Sequence, residues 1–152
     1  MDERFKRLVD RLHPAFLNLR ACPPFSSAKG LPKKGVYFFS KNGKALYVGR
    51  SDNIPRRYAE HRNLSSGGNK AAFAFILACK AAQCGKASYA KVGSRKALME
   101  NPEFRKAFDA AKNRIREMEF RAVAEDDPTC QALLEVYCAV ALATPYNDFG
   151  NH

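Results

Sequence analysis

The sequence predicts an α+β chain with a small, mainly antiparallel three-stranded sheet flanked by helices, and a helical insertion between the first core helix and the third strand. Three observations predict it. Two β-rich runs, VYFFS and KALYVG, flank the turn signal Asn42-Gly43. A third alternating run, MEFRAVA at 118–124, lies far downstream, and the text between them has helical periodicity.

Taken in order, Phe5, Leu8, Val9 and Leu12 recur at helical spacing, which predicts a short amphipathic helix over 2–12 ending before Pro14. From Leu19 to Lys34 the prolines at 23, 24 and 32 and Gly30 predict an extended basic lead-in. The hairpin follows, and then a helix that Asn53 can cap, with Pro55 tolerated in its first turn because no amide hydrogen is needed there. Ser65-Ser66-Gly67-Gly68 is expected to be a flexible joint. Beyond it KAAFAFILACKAAQ predicts a mostly buried helix, and SRKALMEN with PEFRKAFDAAKNRIREM predicts one or two more, with Phe104, Phe108, Ala111 and Ile115 along one face. Asp127-Pro128 has the form of an N-cap followed by proline, opening a last helix that runs through CQALLEVYCAVALA to Pro145. One domain over 1–152 is expected: lead-in 1–34, core 35–63 and 118–148, insertion 64–117.

Composition narrows the partner. Of 152 residues 46% are hydrophobic and 27% charged, as in folded globular chains, but Lys and Arg exceed Asp and Glu by 11. Residues 20–62 hold ten Lys or Arg against Asp52 and Glu60, whereas 122–152 hold five acids and no Lys or Arg. Such a basic surface attracts a polyanion, nucleic acid more commonly than an acidic membrane. The five cysteines show no C-x-x-C pair and the three histidines complete no zinc pattern, so reduced, packed thiols and a cytoplasmic setting are expected. The charged start MDERFKRLVDRLHPAF does not read as a signal peptide, and no apolar run reaches membrane-spanning length.

Glu135 is the only charge between Ala132 and Ala143, which places a carboxylate close to a core. A buried carboxylate needs a cation, either a metal or an arginine, Arg57 being the structural candidate. Arg57 and His61, four apart on one predicted helix, point the same way. Taken singly, each of these is an ordinary solvated or packed residue, and Tyr37 and Tyr47 are ordinary hairpin aromatics. The joint pattern is what carries information.

Gly35-Val36-Tyr37, Tyr47-Val48-Gly49 ten residues on, Arg57 ten beyond Tyr47, His61 one turn later, and Glu135 with Asn147 twelve after it resemble the GIY-YIG endonucleases. Val36 and Val48 stand where the family name has isoleucine. The resemblance implies hydrolysis of phosphodiester bonds in nucleic acid, DNA more than RNA, with one divalent ion, Mg²⁺ or Mn²⁺. It implies Glu135 as metal ligand, Arg57 as phosphate clamp and Tyr37 as general base. A free phenol has a pKa of about 10, so that last role calls for nearby positive charge. It further implies Tyr47 and His61 as water-positioning or proton-relaying groups, and Asn147 as a phosphate contact or support for Glu135. Lys44, Arg50 and Arg56 are held as substrate contacts only.

That reading requires both phenols on one face of the hairpin. A two-residue Asn42-Gly43 turn would pair Tyr37 with Val48 and separate them, whereas a three-residue loop Lys41-Asn42-Gly43 pairs Tyr37 with Tyr47, and this is the register expected. The alternative function is a nucleic-acid-binding module of the same fold without turnover; a purely structural or protein-binding domain must treat the spacings and the charge split as coincidence. No further DNA-reading motif is attached, so specificity falls to the lead-in, the insertion or a partner protein.

Overall fold

The computed structural model describes residues 1–68, 70–83 and 92–150. Its elements are α1 (Glu3–Ala21), β1 (Gly35–Lys41), β2 (Lys44–Ser51), α2 (Ile54–Arg62), α3 (Ala72–Ala81), α4 (Val92–Glu100), α5 (Pro102–Arg116), β3 (Glu119–Ala124) and α6 (Pro128–Ala141). The sheet is three-stranded and antiparallel, as the sequence predicts, its order is β2-β1-β3, and the helical insertion lies between α2 and β3. Two compact units result: Met1–Arg56 with Glu119–Asn147, and Arg57–Met118 with the segment from Asp148.

In the first unit α1 does not stop before Pro14, as expected from the sequence, but continues through it to Ala21. A proline inside a helix costs about 3 kcal/mol. Burial of Leu12, Phe16 and Leu19, spaced four and three apart on one stripe, contributes about 1.5–3 kcal/mol each and outweighs it. Asp2 caps the start, accepting from the amides of Arg4 and Phe5 at 3.0 Å. Val36, Phe38 and Val48 present one sheet face to this stripe and to Leu134 and Cys138 of α6, forming the core. Tyr37, Phe39 and Phe120 share the opposite face, with Phe120 stacked on Tyr37 at 5.1 Å and edge-on to Phe39 at 5.0 Å.

The hairpin register corrects the expected three-residue loop. Lys41 pairs with Lys44, so Asn42-Gly43 alone turns the chain, with φ of 52° and 76° as a type I′ turn requires. A bulge follows: Ser40 pairs with Ala45, but Phe39 pairs with Tyr47, leaving Leu46 as the extra residue. Tyr37 therefore pairs with Gly49. The slip returns Tyr47 to the face of Phe39 and Tyr37, so the two phenols share a face by a different route.

Basic and acidic parts of this unit meet. Arg11 Nη2 donates to both carboxylate oxygens of Glu125, 7% exposed, at 2.6 and 2.7 Å, and the Asp127 amide donates to Oε1 at 3.1 Å. Asp127 caps α6 through the Cys130 amide.

In the second unit α3 is buried nearly throughout, and SRKALMEN and PEFRK… form two helices, the latter capped by Asn101. Phe104, Phe108, Ala111 and Ile115 are buried as their spacing predicts, but so is Lys112, whose Nζ donates to the carbonyls of Glu60 (2.9 Å) and Asn63. That ammonium satisfies carbonyls at the end of α2 that no helical amide reaches, and burial pushes it down to about 8. Cys22, Cys79, Cys130 and Cys138 are free thiols, and Cys84 lies outside the described residues.

Candidate nuclease site

The two tripeptides around the hairpin tyrosines have a local physical reason. Gly35 has φ of 154°, and a Cβ there would strike the carbonyl of Val123 on β3. Gly49 leaves room for the neighbouring strand's phenol: a Cβ on it would stand 2.9 Å from Tyr37 Cε2 and closer still to Cζ and the hydroxyl. Tyr37 is 1% exposed, and Phe120 holds its ring from one side while Gly49 admits it on the other. Its orientation is thus fixed by packing. Tyr47, opposite Phe39, is half-buried on the same face.

Glu135 finds an arginine, but a different one from the candidate the sequence suggested. Its Oε2 accepts from Arg50 Nε at 3.0 Å, with the carboxylate side chain 22% exposed and the guanidinium 45%. Burial pushes the Glu135 carboxyl above its ordinary 4.5, while Arg50 pulls the other way. By register Arg50 pairs with Val36 and so belongs to the sheet face that α6 closes, whereas the tyrosines belong to the other. β2 is one of the two edge strands.

Asn147 occupies that edge. Its Oδ1 accepts from the Val48 amide and its Nδ2 donates to the Val48 carbonyl, both at 2.8 Å, and the Tyr146 amide donates to the Leu46 carbonyl. The Thr144 hydroxyl donates to Asn147 Oδ1 at 2.8 Å and orients the amide. One side chain thus imitates a strand neighbour between Tyr47 and Gly49, a role the sequence reading did not assign.

Arg57 and His61 belong to the second unit. Arg57 Nη1 donates to Glu60 Oε2 at 2.7 Å and to the Lys70 carbonyl at 2.6 Å, and Nη2 stands 3.5 Å from His61 Nε2. His61 is fully buried, and desolvation, helped by Arg57 and Lys112, lowers it to about 3. Its ring is neutral at pH 7. Arg56 lies in the first turn of α2, its amide donating to Asn53 Oδ1 at 3.2 Å, and Lys44 lies exposed at the hairpin end.

Residues 33–101 match the model of the GIY-YIG catalytic domain. This match places residues 33–101, a little under half of the chain, in the GIY-YIG family. The matched stretch contains Tyr37, Tyr47, Arg57 and His61, while Glu135 and Asn147 lie beyond it on elements that return to the same hairpin. No curated protein and no solved structure is found to match the chain. Among the described residues no group of three or more His, Cys, Asp or Glu gathers to hold a metal ion, and no helix is long and apolar enough to cross a membrane.

Lys112 escaped the sequence reading although a signal was present. It stands four after Phe108 and three before Ile115, on the apolar stripe of its helix.

Proposed function

We propose that the chain is a metal-dependent endonuclease that hydrolyses phosphodiester bonds in nucleic acid, DNA more than RNA, acting in the cytoplasm as one nuclease domain over 1–152. The observation that carries the reading is the partly buried Glu135 carboxylate held by Arg50 of the family-matched hairpin.

A single carboxylate fits Mg²⁺ or Mn²⁺. Mg²⁺ keeps most of its waters and is commonly held by one or two carboxylates together with substrate phosphate oxygens. Arg50 engages Oε2 through one nitrogen, which leaves Glu135 Oε1 as a donor. When bound, the ion supplies charge neutralisation for the phosphoryl and departing oxygens.

The chain's own residues do the rest. Tyr37, locked by Phe120 and Gly49, is the general base that takes the proton of the attacking water. Packing fixes its aim, so little reorganisation is left for the reaction. Tyr47, on the same face, positions that water. Arg57 carries a planar fork matched to phosphate oxygens. The neutral imidazole of His61, 3.5 Å from Arg57 Nη2, orients that guanidinium. Asn147 steadies the β2 edge on which Tyr47 stands, and Lys44, Arg50 and Arg56 bind flanking phosphates.

One observation favours the second reading, binding without turnover: the Glu135 carboxylate already has a cation in Arg50. The test is incubation of the purified chain with supercoiled plasmid, single-stranded DNA and RNA, in Mg²⁺, Mn²⁺ or EDTA, beside Glu135→Ala and Arg57→Ala. Metal-dependent nicking lost in both variants supports the nuclease. Salt-sensitive binding with no cutting by any preparation leaves the binding module.

A further inference from the structure

A cavity of about 530 Å³ opens at the hairpin end of the sheet face that α1 and α6 cover, away from the tyrosine face. Its floor is apolar, made by Phe16, Phe38, Ala45 and Leu142. Its rim is cationic. Arg121 is committed to the wall, Nε donating to the Cys22 carbonyl at 2.9 Å and Nη1 to Ser40 Oγ at 3.2 Å and Glu119 Oε2 at 2.9 Å. Arg20 and Lys44 are exposed, and neither makes an ion pair among the described residues, although the Arg20 guanidinium lies over the Phe16 ring at 5.7 Å.

We propose that this cavity binds one unstacked nucleotide of a single strand, base inside and phosphate at the rim. The volume falls in the range of small-molecule sites, and the guanidinium planes of Arg20 and Arg121, which lie over the buried Phe16 and Phe38 rings at 5.7 and 5.9 Å, suit a nucleobase, as in sites that stack bases on arginine planes. Polarity sets the orientation. α1 ends at Ala21 and α6 at Ala141 beside the cavity, and helix C-termini carry partial negative charge. Glu119 adds a carboxylate to the lining, where its Oε2 offsets the charge of Arg121. The interior therefore disfavours phosphate and favours hydrogen-bond donors, such as the exocyclic amine of adenine. Phosphate belongs at Arg20 and Lys44.

The position suits a neighbouring subsite. Lys44 lies six residues along β2 from Arg50, and Ala141 six along α6 from Glu135. By strand and helix rise that is roughly 10 to 20 Å from the Arg50–Glu135 pair, a span of two or three nucleotides. The inference deepens the nuclease reading by naming the strand form recognised, and rests on that reading only for the source of the nucleotide.

The test is an NMR titration of the full ¹⁵N-labelled chain in EDTA with dAMP, dTMP, ribose 5-phosphate, an adenine hexanucleotide and a short duplex, read at the Ser40, Ala45 and Leu142 amides. The expected result is saturable shifts with dAMP at least about tenfold tighter than ribose 5-phosphate and tighter than dTMP, with the hexanucleotide at least as tight as dAMP and tighter than the duplex. Ala141→Trp, which fills the cavity from an exposed position, abolishes these shifts, and Arg20→Ala weakens them severalfold; both variants are checked for an unchanged fold by their remaining spectra. If ribose 5-phosphate matches dAMP, the cavity is an anion site and the proposal fails. It fails equally if dTMP matches dAMP, if the shifts lie elsewhere or survive Ala141→Trp, or if the hexanucleotide leaves these amides unmoved. EDTA removes turnover from the measurement, so a chain that never cuts DNA can still pass, and one that cuts plasmid can still fail.

Discussion

The Tyr37 ring passes directly over Gly49 of the facing strand, so that its hydroxyl lies where a side chain at position 49 would begin. Gly49 has no unusual φ, and the constraint is steric. Gly49→Ala must displace Tyr37, and overpacking of this kind costs about 1–3 kcal/mol. The expected outcome is a lower Tm together with a cleavage loss of about 100-fold, since misplacement of about 1 Å at a reacting group has that scale. Tyr37→Leu in the Gly49→Ala background recovers Tm without recovering cleavage. A Gly49→Ala chain that cuts normally would remove Tyr37 from the mechanism.

Glu135 gives the opposite pairing of stability and activity. Its carboxyl titrates above 4.5 in the folded chain because burial penalises the charged form more than Arg50 compensates. A carboxylate with a raised folded pKa is unfavourable to folding at neutral pH, and the penalty is relieved as pH falls through the folded pKa toward 4.5. Glu135→Gln removes that penalty and retains a polar partner for Arg50. Its Tm at pH 7 is expected to equal or exceed that of the unaltered chain, while cleavage falls by about 100-fold or more. Scanning calorimetry beside a plasmid assay reads both, and a marked drop in Tm would make the residue structural.

The legible parts of the fold were those with strong local chemistry. The Asn53 cap and Asp127-Pro128 each announce a backbone conformation and are found where they were expected, as is the position, though not the register, of the turn at Asn42-Gly43. Pro14 misled because a local penalty was read without the tertiary term: Phe16 and Leu19 lie beyond the proline, and their burial shows only once α1 has a sheet to cover. The hairpin misled differently. The turn residues dictated a two-residue turn, but the bulge at Leu46 that re-phases Tyr47 leaves no mark in composition. At the site, the isolation of Glu135 within an apolar helix foretold a buried carboxylate seeking a cation, but not that a residue 85 positions earlier, Arg50, would supply it. Long-range partner choice depends on how α6 crosses β2, which no short window of sequence encodes.

Asn147 substitutes for a missing strand at the β2 edge, and the edge should loosen without it. Asn147→Ala removes two hydrogen bonds to Val48, each contributing about 1 kcal/mol, and leaves an amide and a carbonyl beside a fully buried side chain to find water. A loss of about 1–3 kcal/mol in urea unfolding is expected, with faster hydrogen exchange at the Val48 amide specifically. If Val48 exchange is unchanged, the amide clasp is not what holds this strand.

His61 makes acid stability a local property of the second unit. The ring is lowered to about 3, first by desolvation and then by Arg57 and Lys112. An unfolded chain takes up the proton near 6.5, so between 6.5 and about 3 the unfolded state binds more protons at this position than the folded one. Stability is therefore full above 6.5 and declines as pH falls through that window, with a slope of up to about 1.4 kcal/mol per pH unit from a single group. His61→Gln keeps an amide beside Arg57 but cannot titrate. Urea midpoints measured from pH 7.5 to 4 should fall less steeply in His61→Gln than in the unaltered chain, whatever the variant's stability at pH 7.5. Other titrating groups act equally on both proteins and cancel in the difference of slopes. Parallel profiles would mean that the folded chain admits a proton at His61, and the neutral imidazole beside Arg57 would have to be abandoned.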